Sequence, residues 1–170
     1  MNLLIILSSL VAALAFLPVA AALGTRAGRN VAWNTANTHP EGLVSLKPGE
    51  VLALRFLIGT RGSAADEVDI AAAGEVPLCV INDTADAADV TSGEPVSCQL
   101  LGAGSGTVRM VSAGVIPDDT DVYSIGAGKV DIVGDAATGD YRVGRSVSAA
   151  AGDGDLLEVV PCLPVYTVPA

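Results

Sequence analysis

The sequence offers few residues whose type and spacing could do chemistry. The acidic pair Asp153 and Asp155 lies in the run GDGD, between alanines and the strand-like LLEVV. Two carboxylates fall short of the six or more oxygens a calcium site requires, and glycine and aspartate are what tight turns demand. GDGD therefore reads as a turn. PDDTD, Pro117 to Asp121, clusters three acids and reads as a solvated turn for the same reason. GAGSGT, Gly102 to Thr107, has glycines suited to a phosphate loop, but it carries no lysine and leads into a strand pattern instead of a helix. Ser105 lacks a nucleophile-elbow context, and the sole histidine, His39, is remote from it in sequence. Asn82-Asp83-Thr84 matches a glycosylation acceptor, a pattern that arises often by chance. No nucleophile, base and orienting group can be assembled, so the sequence predicts no enzyme, no cofactor and no metal.

The three cysteines, Cys79, Cys98 and Cys162, fit no zinc spacing. They read as buried or half-buried thiols from a reducing compartment, with a Cys79–Cys98 bridge between neighbouring strands as the alternative. The net charge of -10 repels phosphate backbones and argues against direct nucleic-acid binding. With 51% hydrophobic but only 4% aromatic residues, bulk comes from Ala, Val and Gly, and no base- or sugar-stacking platform is available.

The elements that would carry these residues are mostly strands. Leu43–Leu46 leads into the turn KPGE; VLALRFLI (Val51–Ile58), VPLCVI (Val76–Ile81), PVSCQLL (Pro95–Leu101) and TVRMVS (Thr107–Ser112) follow at short intervals. DVYS and KVDIV read as a hairpin through Ile125, Gly126 and Gly128, and Tyr141–Val147 and Leu156–Val160 close the series. Short alanine-rich stretches at 84–89 and 146–151 are helix-like. Many short strands separated by Gly, Pro and Asp turns predict an all-β fold, a small sandwich or barrel. The domain spans 43–162, preceded by an extended linker at 24–42 and followed by a proline-containing tail at 163–170.

The first residues differ from all of this. Leu3 to Leu23 is uncharged and almost wholly apolar. As a helix it would be ~31 Å long, about one bilayer core. A secretory signal lacks its basic start here, because nothing basic precedes the run. A membrane anchor would be flanked by Arg26 and Arg29 and kinked by Pro18. An arm buried in an assembly would need a large partner surface. Trp33, in the polar linker, either packs on the domain edge or anchors in a partner's pocket.

Read in order, RFLIGTRGSAADEVDIAAAGEVPLCVINDTADA, PVSCQLLGAGSGTVRMVSAGVIPDDTDVYSIGAGKVDI and YRVGRSVSAAAGDGDLLEVVP resemble the head-decoration, or capsid cement, proteins of tailed bacteriophages. The closing positions of that pattern fall on Val143-Gly144, Ala149, Ala150, Gly154-Asp155 and Glu158-Val159. The resemblance covers roughly residues 51–161 and consists of structural punctuation, with no chemical signature. It implies a structural virion protein on the outside of an icosahedral shell, a homo-oligomer with the trimer favoured, bridging and stabilising subunits of the major capsid protein. The apolar N-terminus departs from the family. Given the resemblance it reads as an assembly arm, with Leu3, Leu7, Leu10, Leu14, Phe16 and Trp33 as contact residues. The competing expectation is a membrane-anchored or exported bacterial β-domain, an adhesin or binding module held through residues 3–23.

Overall fold

The computed structural model describes residues 42–132 and 139–167. The segment holding Leu3, Leu7, Leu10, Leu14, Phe16, Trp33 and His39 lies outside the described residues, as do the anchor and arm readings placed on it. The described chain is all-β with one short helix. Its strands are β1 (Leu43–Pro48), β2 (Leu57–Arg61), β3 (Glu67–Ile70), β4 (Cys79–Ile81), β5 (Val96–Leu100), β6 (Val108–Val111), β7 (Asp121–Gly126), β8 (Lys129–Asp131), β9 (Tyr141–Ser146) and β10 (Leu156–Tyr166). The helix, α1 (Ala87–Ser92), lies between β4 and β5.

The first five strands close into a barrel in the order β1-β3-β2-β4-β5, with β5 pairing back onto β1. The last five form a sheet in the order β6-β10-β9-β7-β8. Its two edges approach each other through the parallel bridge Ser112–Val130, so this sheet also curls toward closure.

Two cores result. Leu52, Val68, Cys79, Ile81, Ala85, Val96 and Cys98 fill the barrel. Ile58, Val80, Met110, Ile116, Val122, Val130, Val143, Leu157 and Val159 belong to a second core shared by the barrel wall and the later sheet. Strand β4 shows why VPLCVI is continuously apolar. Cys79 and Ile81 face into the barrel while Val80 faces the second core, and all three are fully buried.

The β7–β8 hairpin joins the two bodies. Its central residues, Ala127 and Gly128, have φ values of 50° and 66°, as a two-residue type I′ loop requires. Ile58 N donates to Gly128 O at 2.7 Å, and Gly128 N donates to Ala71 O at 3.0 Å. A third link runs from Val111 N to Phe56 O, 3.2 Å.

Several elements depart from the sequence reading. VLALRFLI is not a strand throughout. Leu52 forms an isolated bridge with Ala85, the backbone bends at 54–56, and Phe56 takes a φ of 64° before β2 starts at Leu57. Asp86 moves the helix three residues on from 84–89, because its Oδ1 accepts from Ala88 N and Asp89 N, and Gly93 ends it in the left-handed region. The 146–151 stretch is not helical: Ser146 ends β9, and Ala150 exchanges two backbone hydrogen bonds with Ile116. Strand β10 continues through Tyr166, so Leu163–Tyr166, read as tail, belong to the sheet. Pairing with β9 resumes at Val165–Arg142 and Tyr166–Tyr141 after a register shift, and the two tyrosine rings pack edge to face at 5.3 Å.

Candidate interaction surface

The acidic runs are spent on turns. In GDGD, Asp155 Oδ2 accepts from Ala151 N at 2.9 Å, and its carbonyl accepts from Ser112 N at 2.9 Å. Asp153 pairs with Lys129 at 2.5 Å, and Gly154 supplies a φ of 84°. PDDTD is clamped by Ser146, which is 3% exposed: its Oγ donates to Pro117 O at 2.8 Å and accepts from Thr120 N at 2.9 Å. Asp83 Oδ2 accepts from Ser97 N at 2.9 Å, tying the Asn82-Asp83-Thr84 loop to β5. Among the described residues no three His, Cys, Asp or Glu side chains are grouped to hold a metal. Gly104–Thr107 line a small cleft with Gln99, Val108 and Pro161, and Gly102 lets Leu163 of β10 approach its backbone.

Strand β10 instead carries exposed apolar side chains along its length. Leu156, Val160, Leu163, Val165 and Tyr166 are each about half exposed or more, and Val147, just past β9, is 52% exposed. Val160 lies opposite Arg145 in the ladder. Together with Asp118, Asp119, Ser146 and Val147 they line a shallow depression on the surface.

Its polar rim is fixed by ion pairs. Arg145 Nε contacts Asp119 Oδ1 at 2.7 Å, and Arg142 Nη1 contacts Asp121 Oδ2 at 3.1 Å. The Arg145 guanidinium holds the Asp119 carboxyl below the usual carboxylate range, and Asp119 in turn raises Arg145. Arg142 is raised chiefly by Asp121, with a smaller contribution from Cys162. Asp119 has a φ of 53°, tolerable for aspartate, and this aims its carboxylate back at β9. Exposed pairs of this kind add little to stability but set orientation at a contact.

A separate acidic neighbourhood surrounds β3. Burial raises the Asp69 carboxyl, and Glu50, Glu67 and Glu75 add to the shift. Asp69 Oδ1 is buried without a hydrogen-bond partner.

Sequence reasoning placed contacts in the N-terminal segment and missed the β10 surface. A signal was present in LLEVVP. Apolar residues occupy consecutive positions, Leu156-Leu157 and Val159-Val160, and a strand that buries one of each pair must show the other to the outer face. Leu157 and Val159 are the buried members.

Comparison with protein-family models gives no match, and comparison with curated proteins gives none either.

Proposed function

We propose that the chain is a structural protein that decorates and stabilises an icosahedral phage capsid by binding across subunits of the major capsid protein. The observation that carries this reading is the half-exposed apolar series on β10 with Val147 beside it, set in the surface of a chain of net charge -10. Val147 and Val160 share one shallow depression rimmed by Asp118, Asp119 and Arg145, and apolar side chains bordered by polar groups in this way are a feature of protein-binding surfaces. An all-β body presenting such a surface suits a mechanical role, because modest contacts repeated over many equivalent sites add up through avidity. The phage-decoration resemblance of residues 51–161 points the same way and supplies the partner.

The test is a density-gradient separation of source lysate, with and without mild detergent, following the intact mass of this chain. Co-banding with DNA-filled particles after detergent is the expected result. Flotation with membranes, abolished by deleting residues 1–24, would overturn the capsid reading and leave the membrane-anchored β-domain.

A further inference from the structure

Cys79 and Cys98 are the two thiols of the barrel core, and both side chains are fully buried. The β4–β5 ladder sets Cys79 opposite Leu100 and Ile81 opposite Cys98. Leu101 N donates to Leu78 O at 3.1 Å, and Asn82 N donates to Ser97 O at 2.8 Å. Hydrogen-bonded and non-hydrogen-bonded pairs alternate along an antiparallel ladder, so Cys79 and Cys98 both occupy non-hydrogen-bonded sites, where side chains lie closest. They are diagonal neighbours on one face, and theirs is the diagonal that right-handed strand twist shortens. The adjacent Cys98 side chain, followed by burial, pushes the Cys79 thiol up.

We propose that Cys79 and Cys98 form a reversible cross-strand disulfide that staples β4 to β5 when the protein meets an oxidising environment. The oxidant is a small-molecule disulfide. One cysteine loses its proton, and its thiolate attacks a sulfur of the oxidant, forming a mixed disulfide and releasing one small thiolate. The second cysteine, deprotonated in turn, attacks the protein sulfur of that mixed disulfide and releases the other small thiolate. Two protein thiols are oxidised, the oxidant is reduced to two thiols, and the two protons lost by the cysteines are taken up by the released thiolates. Both sulfurs are buried and the thiolate is disfavoured, so exchange requires β4 and β5 to open and is slow in the native protein. Cys162 is half-buried on β10, with its thiol donating to Arg142 O at 3.8 Å; it has no part in the bond.

The experiment uses the full-length chain carrying Cys162→Ser, equilibrated with oxidised and reduced glutathione at low urea. The products are alkylated in strong denaturant and weighed. Alkylatable cysteines should fall from two to none without added glutathione mass, and the oxidised chain should melt at a higher temperature than the reduced one. Cys98→Ser in the same background should give a single glutathione adduct and no rise in melting temperature. Two glutathione adducts on the parent chain would overturn the proposal. So would thiols that persist where the fully unfolded chain is oxidised, or a bond that lowers the melting temperature.

Discussion

Replacing Gly128 by alanine tests the joint between barrel and sheet. An added Cβ would lie 2.8 Å from Leu57 Cβ, 2.9 Å from Ile70 Cγ2 and 3.0 Å from Ile58 O. The φ of 66° costs an alanine about 1–2 kcal/mol. Relieving the overlap means moving packed backbone, at about 1–3 kcal/mol. The movement also weakens the two hydrogen bonds that Gly128 makes to Ile58 and Ala71, and losing one costs about 1 kcal/mol. The sum, about 3–6 kcal/mol, is a large share of the ~5–15 kcal/mol that holds a typical domain together. Two further glycines separate the contributions. Gly74 has a φ of 79° with nothing within 4 Å of an added Cβ, so Gly74→Ala should show only the backbone cost. Gly152 has equally open space without the positive φ, so Gly152→Ala should be nearly neutral. Urea unfolding of the three variants, compared at constant m, gives the differences. If Gly128→Ala and Gly74→Ala lose the same stability, the hairpin does not seat against β2 and β3 as described, and the reasoning fails.

Other outcomes follow from the polar groups and the β10 surface. Ser146→Ala should destabilise by about 0.5–1.5 kcal/mol, because the Thr120 amide and the Pro117 carbonyl lose a hydrogen-bond partner; thermal melts check it. Asp69→Asn should raise the melting temperature at neutral pH. The folded-state pKa of Asp69 lies above its unfolded value, so its charge opposes folding once pH exceeds the folded value, and the advantage of Asn should shrink as pH falls through that raised range. A melt series from pH 7 to about pH 3 reads the trend, and a gain that grows on acidification would contradict it. Asp119→Asn should behave oppositely. The Asp119 pKa is depressed in the fold, so the wild-type advantage is present above the ordinary carboxylate range and disappears as pH falls through the lowered value. Val160→Lys with Leu163→Lys should leave stability nearly unchanged, since both side chains are exposed, yet abolish co-banding with particles.

The fold class was legible because strand and turn signals alternate in the chain. PVSCQLL, TVRMVS and KVDIV each lie within a residue or two of β5, β6 and β8, since Gly, Pro and Asp mark their ends. Strand β3 is not legible although Val68 and Ile70 alternate with Glu67 and Asp69; the surrounding alanines and acids make EVDI look like loop, and only pairing with β2 and a short parallel register with β1 define it. The break at Phe56 was not legible. An apolar run broken only by Arg55 suggests one strand, and the bend arises because Phe56 N must reach Ile81 O while its carbonyl accepts from Val111, a tertiary demand with no local signature. The turn readings of GDGD and PDDTD agree with the hydrogen bonds Asp155, Asp119 and Ser146 make. The β10 surface is not evident from LLEVV because apolar residues on both faces of a strand look the same in sequence as a strand buried on both sides.

The order β6-β10-β9-β7-β8 bears on how the protein is made. Every barrel strand lies within residues 43–100, so a growing chain can complete the barrel before β6 is synthesised. The later sheet cannot follow the same course. Strand β10 sits between β6 and β9, and until Leu156–Tyr166 has left the ribosome, β6 has no partner on that side. During that interval the second core lacks Leu157 and Val159, so Met110 and Val143, which share that core with them, remain incompletely covered. The nascent chain therefore carries its own sticky intermediate, and slow translation through residues 101–155 would prolong its exposure to other growing chains.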